Sequence, residues 1–173
     1  CVSVAAAVSL WIVIKRLEHR SLRSYGLPTF RVGKRHLKVG LLLGLGVMFI
    51  MLGLGLLSGV CQIELTHDRA RLWRTVIGFL PAAMLVGLLE ELVFRGVILQ
   101  SLLSCSTVLA VSLSSFLYAV VHLKTIAFNH SIGLELAGLF LLGVVLSVAY
   151  LRTGQLYLAI GLHAVLAYAA RAN

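Results

Sequence analysis

Apolar residues dominate this chain in long runs broken by short polar stretches. Six runs stand out, at residues 1–14, 39–60, 75–103, 107–123, 134–151 and 157–170. The longer ones reach the roughly 20 residues that a helix needs to cross the hydrocarbon. Unpaired backbone groups are not tolerated in lipid, so each run is expected to be helical. The pattern predicts an all-α, polytopic transmembrane bundle of about six helices, with residues 1–173 forming a single transmembrane domain. Pro81 lies inside the third run and is expected to kink it. Residues 152–155, Arg-Thr-Gly-Gln, read as a turn. Gly40, Gly44, Gly46, Gly53 and Gly55 suggest close helix contacts along the second run.

Composition supports that pattern. Hydrophobic residues make up 60% of the chain and charged residues 12%, and mean hydropathy is +1.02. A soluble domain is nearer about 25% charged. The net charge of +9 does not indicate nucleic-acid binding. Lys15, Arg16, Arg20, Arg23, Arg31, Lys34, Arg35 and Lys38 supply eight of the fifteen basic residues. A basic loop at residues 15–38 reads as a topology signal in contact with anionic lipid head groups. If that loop is cytoplasmic, alternation places residues 61–74 and 124–133 outside, and 104–106 and 152–155 inside. Cys1, Cys61 and Cys105 have no metal-ligand spacing and are expected to be unpaired. The run before Lys15 reads as a trimmed first helix or a signal-anchor remnant.

Against this background, Glu90, Glu91 and Arg95 lie within six residues of the third apolar run. Each charged residue at a helix centre costs roughly 2.5–3.5 kcal/mol on insertion scales, so such groups are expected to be functional and partnered. Residues four apart share a helix face, which predicts a Glu91–Arg95 ion pair. Glu90 is rotated by about 100° from Glu91 and by about 140° from Arg95, which leaves its carboxylate free of that pair. Gly87, one turn earlier, leaves space for a substrate or a partner helix. His122 and His163 are flanked by apolar residues in two further runs. His19, His36, His67 and His130 fall among polar residues or in loops and are expected on the surface.

A glutamate with two histidines suits general acid–base work. The same set could ligate zinc, although each residue comes from a different helix and there is no H-E-x-x-H run. A proton relay is the third option, in a chain short for a transporter and without paired broken helices.

The order of these motifs resembles the CPBP intramembrane protease family. The matching features are Glu90-Glu91-x-x-x-Arg95 followed by Gly96, then Tyr118-x-x-x-His122, then Thr153-Gly154 and His163 in the last helix. That family includes type II CAAX prenyl endopeptidases and relatives linked to bacteriocin self-immunity. The resemblance covers about residues 85–168, the expected protease core. It implies a glutamic-type intramembrane endopeptidase acting near the terminus or anchor of a membrane-associated protein. By this resemblance Glu90 activates water, His122 helps to position and polarise it, and His163 stabilises the oxyanion. The substrate would be a membrane-anchored protein or peptide within the lipid bilayer. The location would be a bacterial or archaeal plasma membrane. No cofactor is required, and a metal-dependent version is the minority form of the mechanism.

Two positions depart from the family pattern. Tyr118 stands where Phe is usual and adds a hydroxyl. Ala167 stands where the family has an Asn thought to help bind the oxyanion, and Ser115 and Tyr168 are candidate substitutes. Loss of that Asn also motivates a second reading, a non-catalytic immunity or scaffold protein on the same fold. Straight helices raise a further difficulty. Counted from a common inner surface at 1.5 Å per residue, Glu90 lies at about 20 Å, His122 at about 25 Å and His163 at only about 10 Å.

Overall fold

A computed structural model describes residues 21–62, 69–122 and 132–172. Among them, a 3-10 turn at Leu22–Tyr25 precedes five helices. These are α1 (Phe30–Leu57), α2 (Arg69–Glu91), α3 (Thr107–Val121), α4 (Ile132–Thr153) and α5 (Tyr157–Ala172). α2 runs directly into a π-helical segment, Leu92–Leu99, and a last α-helical turn, Gln100–Leu102. The expected first helix, at residues 1–14, lies outside the described residues, as do Lys15, Arg16, Arg20 and most of the segment at 124–133.

Polarity is arranged inside-out relative to a soluble protein. Leu57, Val60, Val108 and Leu134 are among many large apolar side chains left exposed. Glu91, Arg95, Ser114, Ser115 and Ser147 are completely buried. That is the distribution expected of a helical bundle in lipid, where polar groups must find partners inside the protein. Among the described residues, three helical stretches are long and apolar enough to cross a membrane, Leu22–Leu57, Val76–Leu102 and Ile132–Thr153. Thr107–Val121 and Tyr157–Ala170 are shorter apolar helices. The protein is an integral membrane protein.

α5 is the hub, packed against α1, α2 and α4, while the π segment contacts α3 and α4. Of the glycines expected to mediate contacts in the second run, Gly40 and Gly44 do so. A methyl group on Gly40 would collide with the Leu158 carbonyl, and one on Gly44 would stand 2.7 Å from Val165 Cβ. Gly161 answers from α5, where an added Cβ would meet the Leu37 carbonyl at 2.5 Å. Gly46 and Gly53 face open space, and Gly55 faces Cys61. Small residues thus let two backbones meet where lipid supplies no hydrophobic drive of its own.

Two helix starts differ from expectation. α2 begins at Arg69, six residues before the apolar run at 75–103 and inside the stretch expected as a loop. α1 begins at Phe30, so Arg31, Lys34, Arg35 and Lys38 lie on its first turns and not in a loop. All four are exposed, whereas His36 is half-buried. α5 begins at Tyr157, as expected, with the Tyr157 ring edge-on to Phe30 in the first turn of α1 at 6.3 Å. The backbone N–H of the fully buried Leu156 donates to the Gly26 carbonyl at 2.7 Å, and the Tyr157 hydroxyl donates to the Pro28 carbonyl at 2.8 Å. The 3-10 turn in turn packs on the π segment, with the Tyr25 carbonyl 3.1 Å from where a Gly96 Cβ would be. Gly26 is left-handed (φ 85°), and any Cβ there would lie 2.6 Å from the Tyr150 ring, so glycine is required on both counts.

The contacts at this start remove the depth conflict. α5 starts near the level of Gly96, about 9 Å along the rod from Glu90, and His163 lies about 9 Å into α5. The helix is assigned unbroken through Pro81, so the match comes from where α5 begins.

Candidate active site

Ser114, Tyr118 and His122 recur at four-residue steps on α3 and form one stripe. The Ser114 hydroxyl donates to the Phe94 carbonyl at 3.0 Å, tying that stripe to the π segment. Ser115 points elsewhere: it packs against Gly143 of α4, and its hydroxyl has no hydrogen-bond partner. The expected role for Ser115 as an oxyanion donor therefore finds no support in its placement.

The charged pair forms as the spacing predicts. Arg95 donates from Nη1 to Glu91 Oε1 at 2.8 Å, with both side chains fully buried. Nη2 donates to the Gly143 carbonyl at 2.9 Å, and the guanidinium carbon lies 5.0 Å from the Tyr118 ring centroid. A buried guanidinium needs these partners because its desolvation is expensive. The π-helical wind that buries Arg95 together with Leu92, Phe94, Gly96 and Leu99 has no signature in the hydrophobic pattern. Such segments occur often at functional sites.

Glu91 does more than hold Arg95. The same Oε1 accepts a hydrogen bond from His163 Nδ1–H at 2.7 Å. This contact was not expected from sequence, and it requires a close approach of α5 to α2. Gly87 provides it, since a Cβ there would lie 3.2 Å from both Ala164 N and the Ile160 carbonyl. The space beside Gly87 is thus filled by a partner helix.

His122 is oriented by its own helix. Its Nδ1–H donates to the Tyr118 carbonyl at 2.8 Å, as a side chain near a helix C-terminus can do. Both histidines therefore use Nδ1–H on protein acceptors and turn Nε2 to the same place. There Glu90 Oε2 lies 3.5 Å from His122 Nε2 and 3.6 Å from His163 Nε2. These separations are too long for direct hydrogen bonds. Glu90 is 30% exposed, against 0% for Glu91, so the two adjacent carboxylates have different surroundings. Among the described residues, no group of three or more His, Cys, Asp or Glu side chains is arranged to hold a metal ion.

Tyr118 closes the site from below. It is 2% exposed, with its hydroxyl 3.4 Å from His163 Nε2 and its ring 4.4 Å from that of His122. Ala167 and Tyr168 line a shallow apolar groove with Phe79, Ala82, Ala83 and Val86. The Tyr168 hydroxyl donates to the Val76 carbonyl at 3.2 Å. Val76 is about 21 Å along α2 from Glu90, so Tyr168 does not reach the site.

No curated protein matches the chain, and neither does any solved structure. A family model does match, that of the type II CAAX prenyl endopeptidase Rce1-like proteins, over residues 72–169. That stretch is more than half of the chain and contains Glu90, Glu91, Arg95, Tyr118, His122 and His163. It agrees with the resemblance carried by the glutamate and histidine motifs. The chain belongs to the Rce1-like family of CAAX-type intramembrane proteases.

Proposed function

We propose that this protein is a glutamic-type intramembrane endopeptidase that hydrolyses a peptide bond near the terminus or anchor of a membrane-associated protein. The observation that supports this most directly is the convergence of Glu90 Oε2 with the Nε2 atoms of His122 and His163, at 3.5 and 3.6 Å. Glu90 Oε2 and a neutral His122 Nε2 are acceptors, and a doubly protonated His163 offers Nε2–H as a donor. Two acceptors facing one point suit a water molecule, which offers two hydrogens and keeps a lone pair for attack, while the donor can face the carbonyl oxygen.

In this reading Glu90 takes a proton from the water as its oxygen bonds to the scissile carbonyl carbon. The carbonyl π pair moves onto oxygen. Loss of the C–N bond then releases the amine, which takes its proton from Glu90. His122 accepts the second water hydrogen and fixes the direction of attack. With a proton on Nε2, His163 donates to the oxyanion, and the Glu91 carboxylate behind Nδ1 balances the charge on the ring. Donors of this kind gain strength where water is scarce. Glu91 and Arg95 hold the geometry and do not touch substrate. No cofactor enters these steps. Residues 85–168 act as the protease core of one transmembrane domain, in a multi-pass protein of a bacterial or archaeal plasma membrane.

The test uses purified protein in detergent with internally quenched peptides, one set farnesylated at a C-terminal cysteine and one carrying a transmembrane anchor. Glu90→Gln should lower kcat by about 10³-fold or more, within the range for loss of a general base. A Glu90→Gln protein that cleaves at the wild-type rate would sink the reading.

A further inference from the structure

Resting on the endopeptidase reading, we propose that the Tyr118 hydroxyl is a second donor to the oxyanion, acting beside His163. The argument begins with donors. Both histidines commit Nδ1–H to protein acceptors, His163 to Glu91 and His122 to the Tyr118 carbonyl. Each can therefore offer the reaction centre at most the single proton on Nε2. An oxyanion is best held by two donors set in advance. The fold places the Tyr118 hydroxyl beside one of these positions, 3.4 Å from His163 Nε2.

That distance suits shared donation. An oxygen about 2.8 Å from each of two donors 3.4 Å apart would see them separated by about 75°. Both could then bond to it without crowding. The contact is also too long to satisfy the phenol fully, and a buried phenol ordinarily finds a firm partner.

The ring itself is fixed from several sides. Phe94 meets it edge-on at 5.2 Å, His163 at 5.8 Å, and His122 lies tilted at 4.4 Å. The Arg95 guanidinium covers its face at 5.0 Å. A hydroxyl held in place by its ring but loosely bonded at its oxygen is suited to engage a group that arrives during the reaction. Among the described residues near His163, Ala167, one turn further along α5, lines an apolar groove, and the Tyr168 hydroxyl is committed to Val76.

Tyr118→Phe removes the hydroxyl and keeps the ring. On the same two peptide sets, kcat should fall about 100-fold with KM changed less than twofold, since the donor acts on the transition state. A fluorotyrosine in place of Tyr118 retains the hydroxyl and should keep kcat near wild type, which a packing role alone would not distinguish from Phe. Tyr118→Phe with full kcat, or a fluorotyrosine as impaired as Phe, would overturn the proposal while an inactive Glu90→Gln left the protease reading standing. Cleavage by Glu90→Gln, or no cleavage of either peptide set by the wild-type protein, would overturn both.

Discussion

His163 Nδ1 lies 2.7 Å from Glu91 Oε1, so the second of the two adjacent glutamates holds the imidazole whose other nitrogen faces the first. One ring thus spans both carboxylates. Glu91 anchors it through a full hydrogen bond, and Glu90 meets it only at 3.6 Å. In the proposed mechanism these neighbours in sequence divide into a holder and a reactant.

The two glutamates should separate in stability measurements. Glu91→Gln leaves a completely buried Arg95 without its carboxylate and weakens the anchor of His163. Breaking a buried pair in this way costs about 3–5 kcal/mol. Glu90→Gln, at a carboxylate with no direct hydrogen bond, should change stability by less than about 1 kcal/mol. Unfolding in mixed detergent–SDS micelles measures both, and equal losses would contradict the division of roles.

Two serines adjacent on α3 should also diverge. Ser114→Ala removes the bond to the Phe94 carbonyl in the π segment and should destabilise by about 1–3 kcal/mol. Ser115→Ala removes a buried hydroxyl that has no partner and should be neutral or slightly stabilising, with peptidase activity unchanged. A large loss of kcat in Ser115→Ala would return that residue to the site.

The α1–α5 contact predicts a contrast between glycines on one helix. Gly40→Ala drives a methyl group into the Leu158 carbonyl and should cost about 1–3 kcal/mol or more, through forced separation of the two backbones. Gly46→Ala meets nothing within 4 Å and should be neutral or stabilising by about 0.5–1 kcal/mol. Thermal unfolding of the purified variants decides between them.

Tyr168→Phe should lower stability by about 0.5–1.5 kcal/mol, through loss of the bond to Val76, and leave kcat and KM as they are. Peptide cleavage and unfolding assays run on the same preparation would separate the two effects. A fall in kcat would mean that this hydroxyl reaches the reaction after all.

Much of this arrangement was legible before any coordinates. Hydropathy located the described helices to within a few residues, except that α2 extends back to Arg69 and α1 to Phe30, where basic side chains can lie on an exposed helical face. Four-residue spacing gave the Glu91–Arg95 pair and left Glu90 outside it. Local pattern could not show that Glu91 also holds His163, because the two are brought together only by the packing of α2 on α5. The depth conflict had the same origin. It assumed that α5 starts level with the end of the α2 rod near Leu103, whereas its first turn packs on Gly26 and Pro28, in the same turn region that meets Gly96. The π segment escaped notice because its apolar residues fit an α-helical pattern equally well.

The length of α3 has a consequence for the supply of the second reactant. At 15 residues it is about 22 Å long, shorter than the roughly 30 Å of hydrocarbon in a typical bilayer. Its C-terminal end, at His122, therefore falls short of one face of an unperturbed membrane. Carbonyls at a helix end are polar, and hydrocarbon cannot solvate them. A bilayer accommodates a helix shorter than its hydrocarbon by local thinning. In the proposed protease, such thinning beside His122 would shorten the path by which hydrolytic water reaches Glu90.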